Sequence, residues 1–331
     1  MRSRQGLGRT MNELIALPAI TLSIAAVERD TGLSKDTLRV WERRYGFPTP
    51  GRDGAGERAY TLLQVEKLRA IKRLLDAGHR PGRVVPLPLE QLRAISEQTL
   101  DQPRQGPAVV LCNDDIRELI ELVRSHDAAA LRGRLNRLLS RHGVGRFVIE
   151  VVSPLTMAVG DAWIRGQLEV FEEHLYTECV QVVLRGAIAA IPEPAAGDAT
   201  RVLLTTFPGE PHGLGLLMAE ALLALEGCRS VSLGVQTPLW DITLAAAACR
   251  SDIVALSFTG CMGPNQIADG LIELRSKLPA RVALWAGGSA PVLHRRQLPG
   301  VRALAALDEL PAALRQLRDQ GCPKTPGTPI L

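Results

Sequence analysis

The sequence predicts a multidomain chain: an all-α winged helix-turn-helix, then a four-helix bundle, then an α/β doubly wound, flavodoxin-like parallel sheet. Three observations predict it. Charge is concentrated at one end, with 15 Lys/Arg against 9 Asp/Glu in residues 1–80 and a near balance after them. From Asp114 to about Ile191, apolar residues recur at helical spacing in four segments with short breaks, the pattern of a bundle. From 200 to 320, apolar runs alternate five times with helix-length segments, and the runs start 20 to 28 residues apart, as βα units do.

Composition bounds the rest. At 331 residues, with 46% hydrophobic content and a net charge of +4, the chain has material for several cores. The expected divisions are a disordered extension at 1–19, the helix-turn-helix module at 20–80, a Pro-rich linker at 81–112, the bundle at 113–195, the α/β lobe at 199–320 and a tail at 321–331. The cysteines (Cys112, Cys179, Cys228, Cys249, Cys261 and Cys322) form no Cys-x-x-Cys pair. They read as isolated thiols in a reducing compartment and argue against metal sensing by clustered thiolates. Arg2 and Arg4 precede an apolar stretch, Leu14 to Val27, that is interrupted by Pro18, Thr21 and Ser23. No run approaches the roughly 20 apolar residues that span a bilayer, so the expectation is a cytoplasmic protein with no membrane partner.

In the basic module, Ala25 to Thr31 reads as a first helix, Gly32-Leu33 as a tight turn and Ser34 to Tyr45 as a second helix. Ser34 is a good N-cap, and Asp36 suits the positive end of the helix dipole. The second helix presents Lys35, Thr37, Arg39, Arg43 and Arg44, with Leu38 and Trp41 on its buried side. The Gly-bearing loop 51–58 adds Arg52 and Arg58 before Tyr60. A short basic helix in the major groove and a flexible basic loop on neighbouring phosphates suit double-stranded operator DNA. One such module makes few base contacts, so a homo-oligomer, dimer or tetramer, is expected on a two-fold site.

In the lobe, Glu210-Pro211-His212-Gly213-Leu214-Gly215 follows a strand-like run and opens a helix-like one. That puts His212 at the carboxyl end of a strand, where open α/β sheets place ligands. Ser257 to Thr259 end a second strand, with 41 residues between Gly215 and Ser257, and Gly287-Gly288 end a third. The arrangement resembles the cobalamin-binding signature Asp-x-His-x-x-Gly, Ser-x-Leu, Gly-Gly, differing from it at Glu210 and Thr259. The resemblance implies that His212 replaces the cofactor's own base beneath the cobalt. A neutral imidazole suits such a metal, and Glu210 would orient the ring. Gly213, Gly215, Gly287 and Gly288 would let the nucleotide tail approach the backbone.

Thr37-Leu38-Arg39-Val40-Trp41-Glu42-Arg43-Arg44-Tyr45-Gly46, followed by Arg58-Ala59-Tyr60, resembles the MerR-family winged-helix domain. There the helix from Ser34 reads the groove, and Arg58 and Tyr60 would contact the DNA backbone. Trp163 followed after nine residues by Glu173-His174 matches the Trp-x9-Glu-His motif of the CarH/LitR-type photoreceptor subgroup, which joins these three domains in the same order. That resemblance implies a transcription repressor controlled by adenosyl- or methylcobalamin and by light at the cobalt–carbon bond. Trp163, Glu173 and His174 would then contact the upper ligand. Ile164 stands where members carry a cobalt-binding His, and Phe171 and Glu172 stand where small or aliphatic residues are usual. Two alternatives remain at this level: a cofactor-independent regulator whose lobe serves oligomerisation or partner docking, and a corrinoid methyl carrier. The winged helix argues against the carrier.

Overall fold

The computed structural model describes residues 21–100, 113–194 and 199–321. The expected extension, residues 101–112 of the linker and the tail from Cys322 lie outside them. Residues 21–75 and 79–96 form one unit, and residues 76–78 and those from 97 onward belong to a second.

The elements that build the first unit are β1 (Thr21–Ser23), α1 (Ile24–Thr31), α2 (Lys35–Tyr45), β2 (Gly51–Arg52), β3 (Arg58–Thr61), α3 (Leu62–Asp76), α4 (Pro81–Val84) and α5 (Leu89–Leu100), the last residue of α3 and the last turn of α5 being assigned to the second. Ser23 caps α1, and Ser34 caps α2 by accepting from the Thr37 amide at 3.1 Å, which satisfies donors that a helix start leaves open. Gly32 and Gly46 end the two helices at φ +68°, where a glycine avoids the Cβ penalty.

The module is not purely helical. Its strands form an antiparallel sheet in the order β1-β3-β2. They are too short to show alternation in the sequence, and the β2–β3 turn is tied by Asp53 Oδ1, which accepts from the Ala55 and Glu57 amides. Nor does the module stop at residue 80. Val84, Val85 and Leu92 are fully buried in one core with Val27, Leu38, Trp41 and Leu68. Pro81 opens a short helix, where a missing N–H costs nothing, so a proline-rich composition that suggested a linker belongs instead to folded structure.

Tyr60 corrects another expectation. On the central strand β3 it faces inward with 0% exposure, and its hydroxyl is buried without a hydrogen-bond partner among the described residues. It is a core residue and offers nothing to a DNA backbone. Tyr60→Phe removes an unsatisfied polar group, whose burial costs about 1–3 kcal/mol. Chemical denaturation should show stability unchanged or raised, and operator affinity should be unchanged.

The second unit begins with α6 (Asn113–Arg124), α7 (Ala128–Arg146), a π-helical segment (Phe147–Val152), α8 (Ser153–Ile164) and α9 (Val170–Ala189). These follow the four helical segments read from the sequence, including the break at Gly143, which has φ +71° inside α7. The stretch Ala128–Ile164 is long and apolar enough to cross a membrane by length and composition alone. Its Leu131, Leu135, Phe147 and Val151 are nevertheless fully buried in the bundle core, as in the core helix of a globular bundle. A 2.7 Å hydrogen bond between Thr156 Oγ1 and the buried Tyr176 hydroxyl ties α8 to α9.

The lobe runs β4 (Arg201–Thr205), α10 (Leu214–Leu225), β5 (Arg229–Ser232), α11 (Leu239–Ala248), β6 (Ile253–Ser257), α12 (Pro264–Lys277), β7 (Ala283–Gly287), α13 (Val292–Arg295), β8 (Val301–Leu304) and α14 (Leu310–Gly321). All strands pair in parallel in the order β5-β4-β6-β7-β8, the flavodoxin-like winding, which reverses between β4 and β6. Helix α10 is apolar on nearly every side because it is covered twice. Its Leu214, Leu217, Ala221 and Leu222 share one core with strand residues Val202 and Leu204 and with bundle residues Val151, Val180 and Leu184. A helix apolar all round belongs in an interior.

Candidate functional site

The winding reversal fixes where a ligand crevice opens, and the loops after β4 and β6 meet there. The β4 loop is built by buried polar groups. Thr206 Oγ1 donates to the Glu210 carbonyl at 2.6 Å and accepts from the Gln236 amide at 2.8 Å, and Gly209 turns the chain at φ +90°. Glu210, fully buried, is the centre. Its Oε1 accepts from His212 Nδ1 at 2.7 Å and from the His212 amide at 3.2 Å. Its Oε2 accepts from the Thr259 amide at 2.6 Å, and the Thr259 hydroxyl lies 2.9 Å from Oε2 and 3.1 Å from Oε1.

The two departures from the signature therefore answer each other. A carboxylate one methylene longer than Asp reaches the amide and hydroxyl supplied by the residue that stands in place of Leu. Burial raises the Glu210 pKa, but the bonds from His212 and Thr259 outweigh it and hold the carboxyl below its ordinary value, as donors to a carboxylate do.

His212 has a half-exposed side chain and directs Nδ1 inward, leaving Nε2 without a hydrogen bond among the described residues. The neighbouring Cys261 sulfur, and then the Glu210 carboxylate, raise its pKa to about 10 against the opposing effect of burial. Ligation through Nε2 would displace a proton from the ring.

Close backbone approaches complete this end of the sheet. A Cβ on Gly215 would lie 2.8 Å from Ser257 Oγ, and one on Gly213 would lie 3.0 Å from Val235. Gly288, at φ +110°, would drive a Cβ into the Phe258 carbonyl oxygen, whereas Gly287 has only ordinary contacts. Gly215 and Gly288 thus serve helix-to-strand and strand-to-strand packing in the protein itself.

The bundle residues are placed differently. Trp163, partly buried, packs against the core shared by bundle and lobe. Glu173 accepts from Thr177 Oγ1 at 2.7 Å, and exposed His174 lies 3.7 Å from Glu173. Among the described residues, no hydrogen bond or ion pair joins Glu173 or His174 to the His212 loop. Phe171 and Glu172, which stand where small or aliphatic residues are usual, both meet His126 in the α6–α7 corner. The Phe171 ring sits 5.1 Å from the His126 ring. Glu172 bonds His126 Nε2 at 3.1 Å and caps α9 at the Glu169 amide at 2.7 Å.

In the first unit, Arg43 and Arg44 are exposed at the end of α2, with Arg44 over the Tyr45 ring. Arg39 pairs with Asp36 at 3.1 Å, and Lys35 lies 3.6 Å from Glu28. Thr37 Oγ1 is shared with the capping Ser34 at 2.8 Å. Arg52 holds the Gly56 carbonyl, and Arg58 pairs with Glu42 at 3.0 Å. Exposed Val40 lies on the same helix, an apolar group that the search for charge missed.

Residues 22–85 match the MerR HTH family regulatory protein model, and residues 115–185 match the B12 binding domain model. Over 264 residues the chain is 31% identical to the HTH-type transcriptional repressor CarH of Myxococcus xanthus, covering 80% of this chain and 87% of that one. The chain belongs to this family of MerR-type transcriptional repressors. The repressor CarA of the same organism is 28% identical over 302 residues, covering 91% of this chain and 98% of its own length. The regulator MlrA of Salmonella typhimurium is 34% identical over 67 residues, covering 20% of this chain and 25% of its own. A MerR-type repressor with a B12 binding domain is a DNA-binding regulator and not an enzyme, which sets aside the methyl-carrier alternative.

A double-mutant cycle tests the Glu210–Thr259 pairing in this regulator. Thr259→Val keeps the shape and removes a hydroxyl bonded to a charged acceptor, so denaturation should show a loss of about 1.5–3 kcal/mol. In a Glu210→Gln background the same change should cost clearly less. Equal costs in both backgrounds would separate the two residues.

Proposed function

We propose that this regulator grips operator DNA with the exposed face of α2 and holds cobalamin over the His212 loop, so that occupancy of the lobe sets DNA affinity. One observation carries the reading: a single imidazole at the winding reversal, its Nδ1 engaged by a buried carboxylate and its Nε2 open. That donor set fits a corrinoid cobalt, which takes one protein ligand on its lower face. Outer partners of a metal-bound histidine commonly fix its tautomer in this way. His212 is the cobalt ligand, and Glu210 and Thr259 hold its ring. Gly213 and Gly215 at the start of α10, and Ser257, Gly287 and Gly288 at the strand ends, lie beside it. Trp163, Glu173 and His174 are the contacts for the upper ligand, adenosyl or methyl.

When bound, such a cofactor supplies a carbon–cobalt bond that light breaks, and this is the proposed route for a light response. Ile164 has no donor atom, so this chain does not use that position as a second cobalt ligand. On DNA, Arg43 and Arg44, which make no ion pair among the described residues, reach the duplex directly. Lys35, Arg39 and Arg58 exchange protein carboxylates for phosphates, and Arg52 exchanges a backbone carbonyl. Thr37 contacts DNA from the first turn of α2. The working form is a cytoplasmic homo-oligomer, at least a dimer, on a two-fold site.

Purified protein mixed with adenosyl- or methylcobalamin and freed of excess should keep the corrinoid spectrum, change it on illumination and change its operator affinity in step. His212→Ala should lose at least the roughly 10- to 100-fold in affinity that removing a mere outer partner costs. A colourless wild-type protein with unaltered DNA binding would support the cofactor-independent reading, with the lobe as an oligomerisation or docking domain. Arg43→Ala should weaken operator binding and lower the salt slope by about 1, measured by titration at several salt concentrations. An unchanged slope would remove Arg43 from the interface.

A further inference from the structure

Cys261 was read from the sequence as an isolated thiol, 49 residues beyond His212. The fold brings it to the same loop cluster. Glu210, His212 and Cys261 each place a ligand atom so that all lie within 4.8 Å of one another, the one group of three such residues among those described. Cys261 Sγ lies 3.2 Å from the Thr259 hydroxyl and 3.6 Å from the Gly209 carbonyl. It is partly open to solvent, whereas Cys179 and Cys228 are buried.

We propose that corrinoid-free protein binds a thiophilic divalent cation, zinc by preference, through Glu210, His212 and Cys261. Carboxylate, imidazole and thiolate form a donor set that suits zinc, and three protein ligands leave a fourth position for water. The cation takes the place of the proton that His212 Nδ1 shares with Glu210 Oε1. Those atoms stand 2.7 Å apart, so each moves outward by roughly 0.3 Å to meet ordinary zinc–ligand distances of about 2.0–2.2 Å in a tetrahedral site. The thiol gives up its proton on ligation, and no electron is transferred.

The three ligands come from the loops after β4 and β6, so the cation clamps the mouth of the crevice. It also occupies the ring whose other nitrogen the proposed cobalt site uses. A zinc-loaded form is therefore a distinct state of the regulator, with the loops after β4 and β6 joined through the cation.

The test is titration of reduced, corrinoid-free full-length protein with Co2+ as a spectroscopic stand-in for zinc. The expected result is a thiolate-to-cobalt charge-transfer band with tetrahedral ligand-field bands, all removed by added zinc. Cys261→Ser should abolish the charge-transfer band. His212→Ala should weaken binding by more than the roughly 10- to 100-fold attributed to outer partners. Circular dichroism of both variants establishes that they fold. Absence of the band in wild type, or its persistence in Cys261→Ser, would overturn the proposal. No corrinoid enters the experiment, so its failure leaves the cobalamin reading untouched, and loss of corrinoid binding leaves this site untouched.

Discussion

The buried carboxylate of Glu210 is the constraint on which the lobe's chemistry depends. An ion taken fully out of water costs several kcal/mol even after relaxation, so it persists only where partners surround it. Here the partners are two amides, a hydroxyl and an imidazole. They come from two loops that lie apart in sequence and adjacent in space. Satisfying one charge therefore ties the loops after β4 and β6 to each other and holds the His212 ring by its Nδ1. Loop closure and ligand presentation are one event.

The scaffold makes that event repeatable. Parallel pairing of β4 with both β5 and β6 sends the chain in opposite directions at this edge and opens the crevice. Thr206 then ties the β4 loop to the chain after β5. Helix α10, which starts two residues after His212, is held between sheet and bundle by apolar contacts on both sides. A change in the bundle's packing thus has a rigid element through which to reach the histidine loop. The first unit reads DNA with a separate core, so its capping and strand pairing are satisfied internally.

Much of this was legible in the sequence because it is periodic. The bundle helices, the break at Gly143 and the five strands all leave a spacing that apolar residues report. Non-periodic features were hidden. Tyr60 matches a basic, surface-reading motif, yet its strand partner Leu22 and the core behind it turn it inward. Leu92 lies in a proline-rich stretch but completes the first core. Phe171 and Glu172 stood out only as departures from the family pattern, and their contacts with His126 at a helix corner left no spacing signal. Cys261 carried no spacing signal because its neighbours in the cluster come from another βα unit. Thr259 stood out only as a mismatch, and its meaning appeared once Glu210 was seen to bond it.

The most direct measurement is electron paramagnetic resonance of the protein loaded with cob(II)alamin, made with ordinary and with nitrogen-15 histidine. If His212 lies beneath the cobalt, the axial lines split as expected for one nitrogen, and the splitting pattern changes with the isotope. Lines that ignore the label, or that match free cofactor held by its own base, would contradict the account.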